Sequence, residues 1–154
     1  MLYRRLSSVV LVLALITATP VFSQLSGTYT IGGSSPTYAS FAAAVAALSA
    51  GVNGPVRSGT YPEQISIPSI TGVSATNTVT FQSESGSPAA VTLSLAPASN
   101  NYIVQLDGAD YVQFKNIGIK NTSTSLGVVV RFGTTAASTN CLFEGCILEG
   151  TTTG

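Results

Sequence analysis

Histidine and tryptophan are absent from this 154-residue chain, methionine occurs once and cysteine twice. Without histidine there is no Ser-His-Asp triad and no zinc site built on imidazole. Charge is scarce as well: six basic and six acidic residues make up 8% of the sequence and cancel. Arg4 and Arg5 lie at the extreme N-terminus, so from Gln24 onward four basic residues (Arg57, Lys115, Lys120, Arg131) stand against six acidic ones, a net of −2. That balance excludes the cationic footprint of a nucleic-acid binder. Cys141 and Cys146, five residues apart, match neither a redox C-x-x-C nor a zinc pattern. They read as two small apolar core residues, with a local disulfide across a bend as the alternative in an oxidising compartment.

The first 23 residues read as a signal peptide. Arg4 and Arg5 give a positive start, residues 9–16 are continuously apolar, and Val21 and Ser23 are the small residues expected before a cut after Ser23. The apolar run is well short of the roughly 20 residues that span a bilayer. Residues 24–154 are therefore expected to form one domain outside the cytoplasm, with no membrane span after cleavage.

From Gln24 the chain holds 17 Ser and 17 Thr, a composition that alone would suit disorder. Val, Ile, Leu, Phe and Tyr nevertheless recur in short alternating runs bounded by Gly, Asn, Ser and Pro, which is a strand signal. One helix is predicted over 41–48 (FAAAVAAL), capped by Ser40 and ended by Gly51, with Phe41, Val45 and Leu48 on one stripe.

The strands repeat. Ile65 and Ile67 are followed at +26 by Val91 and Leu93, and at +26 again by Ile117 and Ile119. Val79 and Phe81 lead to Val104 and Leu106 at +25, then to Val130 and Phe132 at +26. Val112 and Phe114 return as Cys141 and Phe143 at +29, and Ile117 and Ile119 as Cys146 and Leu148 at +29, the extra residues falling in the turn 133–140. Repetition with insertions confined to turns marks a solenoid. Built of strands, it is expected to be a parallel β-helix of about four coils, all-β apart from a short N-terminal capping α-helix; an antiparallel β-sandwich is the structural alternative. The register places Lys115 beside Glu144 and Lys120 beside Glu149 as cross-coil pairs. Both ends of a solenoid need cover. The helix supplies it at one end, while EGCILEGTTTG offers no amphipathic cap at the other. This points to a fragment of a longer protein, or to end-to-end self-association through an open C-terminal coil.

The run TYASFAAAVAALSAG followed by SGTYPEQISI resembles the opening of right-handed parallel β-helix proteins of the pectin-lyase-like superfamily, with Gly59, Tyr61, Glu63, Ile65 and Ile67 carrying the pattern. NTVTFQS, LDGADYVQFKNIGIKN and CLFEGCILEG resemble coils of large secreted bacterial proteins of this type, often exported by the type IX system to the cell surface. The resemblance spans nearly all of residues 25–154 and rests on core and turn residues. In one respect the chain departs from it: only Arg57 separates Val56 from Ser58, about four residues fewer than in relatives. The first coil's strand is therefore expected to be shortened or lost, and that coil loosely packed.

The resemblance implies where catalysis would sit: polygalacturonase- and pectin methylesterase-like enzymes need paired aspartates and an arginine on one face of adjacent coils. Asp107 and Asp110 are the only close carboxylates, and in LDGAD they read as turn formers. Arg131 aligns with Gln105 rather than with an aspartate. Asp107, Asp110 and Glu84 are too few and scattered for calcium, and Glu63 reads as a residue that holds its turn. Tyr29, Tyr38, Tyr102 and Tyr111 are candidate platforms for sugar rings. No catalytic, cofactor or metal residue is assigned. The expected role is a non-catalytic secreted or cell-surface scaffold, adhesin-like, meeting polysaccharide or cell-surface components. The alternative is the N-terminal part of a polysaccharide lyase or a glycoside or ester hydrolase with its catalytic coils beyond Gly154.

Overall fold

The computed structural model describes residues 27–48, 52–125, 127–133 and 135–151. The signal-peptide segment and Gly51 lie outside the described residues. Twelve short strands and one helix follow in chain order: β1 (Gly27–Thr28), α1 (Phe41–Ala46), β2 (Val52–Val56), β3 (Gly59–Tyr61), β4 (Ile65–Pro68), β5 (Val79–Ser83), β6 (Val91–Leu95), β7 (Val104–Asp107), β8 (Val112–Lys115), β9 (Gly118–Asn121), β10 (Val130–Phe132), β11 (Leu142–Glu144) and β12 (Ile147–Glu149). They form three sheets, ordered β1-β2-β5-β8-β11, β3-β6-β9-β12 and β4-β7-β10, and every pairing between strands is parallel. The chain is thus a parallel β-solenoid. The strands β2–β4, β5–β7 and β8–β10 each make one turn, and β11 and β12 open the next, which gives about three turns rather than the expected four.

Strand alternation decides which side chains enter the bore. Along β4, β7 and β8 every second residue is buried, and the intervening Ser66, Gln105, Gln113 and Lys115 face out. Coil stacking then lays like on like: Ile65 and Ile67 pair with Val104 and Leu106, Val79 and Phe81 with Val112 and Phe114, and Leu93 with Ile119. All but the partly exposed edge of this core are shielded almost completely from water. One ladder is aromatic. Phe41, Phe81, Phe114 and Phe143 follow one another with ring centroids 5.7, 5.1 and 5.1 Å apart; the first pair is tilted by 38°, the other two are stacked, and the last two rings lie within 2° of parallel. Offset ring stacking adds to the area each ring removes from water.

The helix is the first rung of that ladder. Phe41 is fully buried against Phe81 and meets the Tyr61 ring edge-on at 5.1 Å. Helix α1 is shorter than predicted, ending at Ala46, but Val45 and Leu48 still pack against the core as the stripe requires. Its first amides are all satisfied. Ser40 Oγ accepts from Ala43 N at 3.0 Å, and the Glu63 carboxylate accepts from Phe41 N at 3.1 Å and Ala42 N at 2.8 Å. Glu63 therefore holds the helix start and not its own turn, an acidic group placed where the helix dipole favours it.

Three expectations need correction. The two earlier repeat series join residues of different sheets: Ile65 and Ile67 stack under Val104 and Leu106, not Val91 and Leu93, which pair with Gly59 and Tyr61. Val79 and Phe81 likewise stack under Val112 and Phe114, not Val104 and Leu106. Later steps are as predicted, including Val104 with Val130, Leu93 with Ile119, Phe114 with Phe143 and Ile119 with Leu148. Third, the strand expected to be shortened or lost is present. β2 is five residues long, pairs with β1 and β5, and buries Val56 completely. Its missing residues come out of the corner instead, since Arg57 and Ser58 alone link β2 to β3 where residues 84–90 link β5 to β6.

The predicted charge pairs form: Lys115 Nζ lies 3.3 Å from Glu144 Oε2, and Lys120 Nζ 2.7 Å from Glu149 Oε2. Both are well exposed, so each is expected to contribute less than about 1 kcal/mol. A double-mutant cycle on Lys120→Ala and Glu149→Ala, read by urea unfolding, should give a coupling in that range that shrinks with added salt. A coupling above about 2 kcal/mol would contradict the solvated geometry.

Candidate functional site

Carboxylates are among the side chains suited to general acid–base work. Asp107 and Asp110 bracket the corner that joins β7 to β8, and both reach up to the longer corner of the next coil. Asp107 Oδ1 accepts from Ala136 N at 3.3 Å; Asp110 Oδ1 accepts from Thr139 N at 2.6 Å and from the Thr139 hydroxyl at 2.8 Å. Ala109 N donates to Ser138 Oγ at 2.9 Å in the same stack. The pair is turn chemistry, as the sequence suggested, but the bonds run between coils and not within LDGAD. Gly133 is required above it, because a Cβ there would collide with the Asp107 side chain.

Glu84 lies 3.9 Å from Arg57 Nε, and the Arg57 guanidinium also donates to the carbonyl of Ser34. Arg131 sits 4.3 Å above the Tyr102 ring and donates to Gln105 Oε1, Nε at 3.2 Å. No aspartate joins it, so the paired-aspartate-plus-arginine constellation does not assemble among the described residues. Nor do three or more His, Cys, Asp or Glu side chains converge there in a group able to hold a metal. Glu84 is on a different corner from Asp107 and Asp110.

The tyrosines do not make one platform. Tyr102 is buried with a guanidinium over its ring, and Tyr111, half-buried, holds a left-handed backbone (φ 53°) at the corner before β8. Tyr29 and Tyr38 face each other, 6.0 Å apart and tilted by 40°. Tyr61 is structural: its hydroxyl donates to the Arg57 carbonyl at 2.7 Å, and its ring lies where a side chain at Gly32 would be. Burial, reinforced by the Glu63 charge and opposed by Arg57, raises the Tyr61 phenol above its ordinary 10.0. The folded chain then binds that proton more tightly than the unfolded one. The stability tied to it is complete below pH 10.0 and is lost as pH rises through the folded value. Urea midpoints should fall above pH 10, and Tyr61→Phe should remove part of that alkaline fall; an identical pH profile in the variant would show that the phenol contributes nothing.

Cys141 and Cys146 are free thiols, both half-buried, so the disulfide alternative is not what forms. Each S–H donates to a backbone carbonyl of the coil below, Cys141 to Ala109 and Cys146 to Phe114. Burial pushes the Cys141 thiol up, partly countered by a backbone hydrogen bond from Val112, with Asp110 adding to the rise. A raised thiol is a poor nucleophile at neutral pH.

Grooves remain on several faces: one of about 710 Å³ runs along residues 120–124 and 148–151, and one of about 330 Å³ lies beside Thr28, Gly54 and Gln82. Of two more, one of about 430 Å³ lies between α1 and β4, lined by Val45, Leu48, Gln64, Pro68 and Ile70 among others, with no ionisable group. The other, about 320 Å³, runs over the outer face of the second sheet, where Gly118 leaves a depression beside Thr60, Thr92 and the Lys120–Glu149 pair. Sequence reasoning did not foresee it, since what shapes it is the corner 84–90 bringing the Pro88 carbonyl within 3.0 Å of where a Gly118 Cβ would stand. No helix among the described residues is long and apolar enough to cross a membrane. No protein-family model matches the chain, nor does any curated protein or solved structure.

Proposed function

We propose that this chain is a non-catalytic scaffold of the secreted or cell-surface kind, a rigid solenoid whose outer faces meet polysaccharide or other surface components. One observation carries the reading. From Arg57 onward the chain has ten charged side chains, and each has a partner that holds the fold together. Glu63 holds α1, Arg57 meets Glu84, and Asp107 and Asp110 anchor the next corner. Lys115 and Lys120 meet Glu144 and Glu149, and Arg131 meets Gln105 and Tyr102. General acid–base work needs a carboxylate or cation aimed at a substrate position; in this arrangement they are aimed at neighbouring coils. The N-terminal signal pattern supports export, and the resemblance to type IX-exported solenoids supports a bacterial surface.

On the outside, the Gly118 groove offers hydroxyls and one ion pair, the lining expected for a polar polymer lying across strands. Incubating the chain with pectin and related polymers should release no new reducing ends or unsaturated products. Reproducible turnover, abolished by Asp107→Asn or Asp110→Asn in protein that remains folded, would overturn the scaffold reading in favour of a polysaccharide-active enzyme.

A further inference from the structure

Tyr29 and Tyr38 face each other beside β1, with ring centroids 6.0 Å apart and planes inclined by 40°. Both side chains are half-buried, so each ring keeps contact with water. The backbone holds the two residues together. Tyr38 N donates to the Thr30 carbonyl at 3.0 Å, and Gly32 N donates to the Tyr38 carbonyl at 2.9 Å. Between these bonds Thr30 N donates to Thr37 Oγ1 at 3.3 Å and Thr37 N to Thr30 Oγ1 at 3.0 Å. The Arg57 guanidinium donates to the Ser34 carbonyl, and the Tyr61 ring fills the space over Gly32. Residues 29–38 are thus a loop tied across its ends and pinned in its middle. No other aromatic contact among the described residues joins two tyrosines.

We propose that this pair is a site of oxidative cross-linking, where a dityrosine bond closes the loop 29–38 when the chain meets a one-electron oxidant. Each phenol gives up one electron and its hydroxyl proton and becomes a phenoxyl radical, with unpaired density on the ring carbons beside the oxygen. The two radicals combine through one such carbon on each ring. The hydrogen on each joined carbon then moves to the oxygen of its own ring and restores both phenols. One carbon–carbon bond forms, two protons pass to water, and two electrons go to two equivalents of the oxidant. Radical coupling competes with every other encounter, so it favours rings already held against each other. Of the other tyrosines, Tyr61 is buried against Phe41 and Tyr102 is buried under the Arg131 guanidinium.

The bond secures two elements at once. β1 is two residues long and, among the described strands, pairs with β2 alone. Tyr29 continues directly from β1, and Tyr38 stands three residues before Phe41, where α1 begins. The cross-link joins the strand to the segment that leads into the helix. It stiffens the first coil without disturbing the apolar ladder below.

Photo-oxidation of the folded 154-residue chain with a ruthenium trisbipyridyl sensitiser and persulfate should give dityrosine fluorescence in a single-chain product lighter by two hydrogens. Tandem mass spectrometry should place the bond between Tyr29 and Tyr38, a result that needs no variant. Tyr29→Phe and, separately, Tyr38→Phe keep the ring but lose the phenol, and each should abolish that product with an unchanged circular-dichroism spectrum. In the cross-linked chain the amides of Gly32 and Tyr38 should exchange at least about tenfold more slowly than in the untreated one. A bond mapped to another tyrosine pair or between chains, the same fluorescent product from either variant, unaltered exchange at both amides, or oxidised and folded protein without dityrosine would each overturn the proposal.

Discussion

Phe114→Ala is expected to lower the free energy of unfolding by about 3–5 kcal/mol, the range for removing a buried ring. Phe114 is fully buried in β8, with Phe81 stacked at 5.1 Å on one side and Phe143 at 5.1 Å on the other. The hole left behind has little means of closing, because β5 and β11 are fixed in register to β8 by their own backbone bonds. A domain of this size has about 5–15 kcal/mol in all, so the variant should sit near the limit of folding. Phe143→Ala is the internal comparison: that ring is only half-buried and is stacked on one face, and its loss should cost less than half as much. The urea midpoints of both variants check this, and a Phe114→Ala effect under about 1 kcal/mol would contradict the stacked core.

Glu63→Ala should release α1 at a cost of about 1–3 kcal/mol, since one carboxylate serves two amides at the helix start. A six-residue helix cannot sustain itself. Its persistence depends on the Ser40 and Glu63 acceptors and on the seat of Phe41 between Tyr61 and Phe81. Hydrogen exchange reads the outcome directly. The amides of Phe41, Ala42 and Ala44 should lose protection while those of β8 keep theirs. Glu63→Gln, which retains one acceptor oxygen without the charge, should fall between. Unaltered protection of the helix amides in Glu63→Ala would show that packing alone holds it.

Fold class was legible because alternation and turn residues report strand, face and solenoid without knowledge of partners. Register was legible in the later coils, most plainly where one offset carries two successive strands. The β8–β9 corner (Asn116, Ile117) and the β11–β12 corner (Gly145, Cys146) have two residues each, so Lys115, Phe114, Ile119 and Lys120 found their partners from a single offset. Between the first two coils that fails. Residues 84–90 replace a two-residue corner, and residues 96–103 replace 62–64, so the true offsets are +32 for Tyr61 to Leu93 and +39 for Ile67 to Leu106. An offset of 26 from Ile65 lands on another inward pair, Val91 and Leu93, one sheet away. Inward Ile, Val and Leu look alike whichever sheet holds them, and nothing local distinguishes the sheets. Glu63 was singled out but its partner was not, because a bond spanning 21 or 22 residues to backbone amides leaves no side-chain signature. Tyr102 was misread as an open platform for the same reason, Arg131 lying 29 residues further along the chain.

Every strand here touches only the coil before and the coil after, which gives the molecule a grain. Tension applied between its two ends would not shatter it in one event. It would peel away a turn at a time, each turn being held chiefly by its two neighbours. A pulling trace should therefore show a staircase of small, similar steps, each the length of one unwound turn.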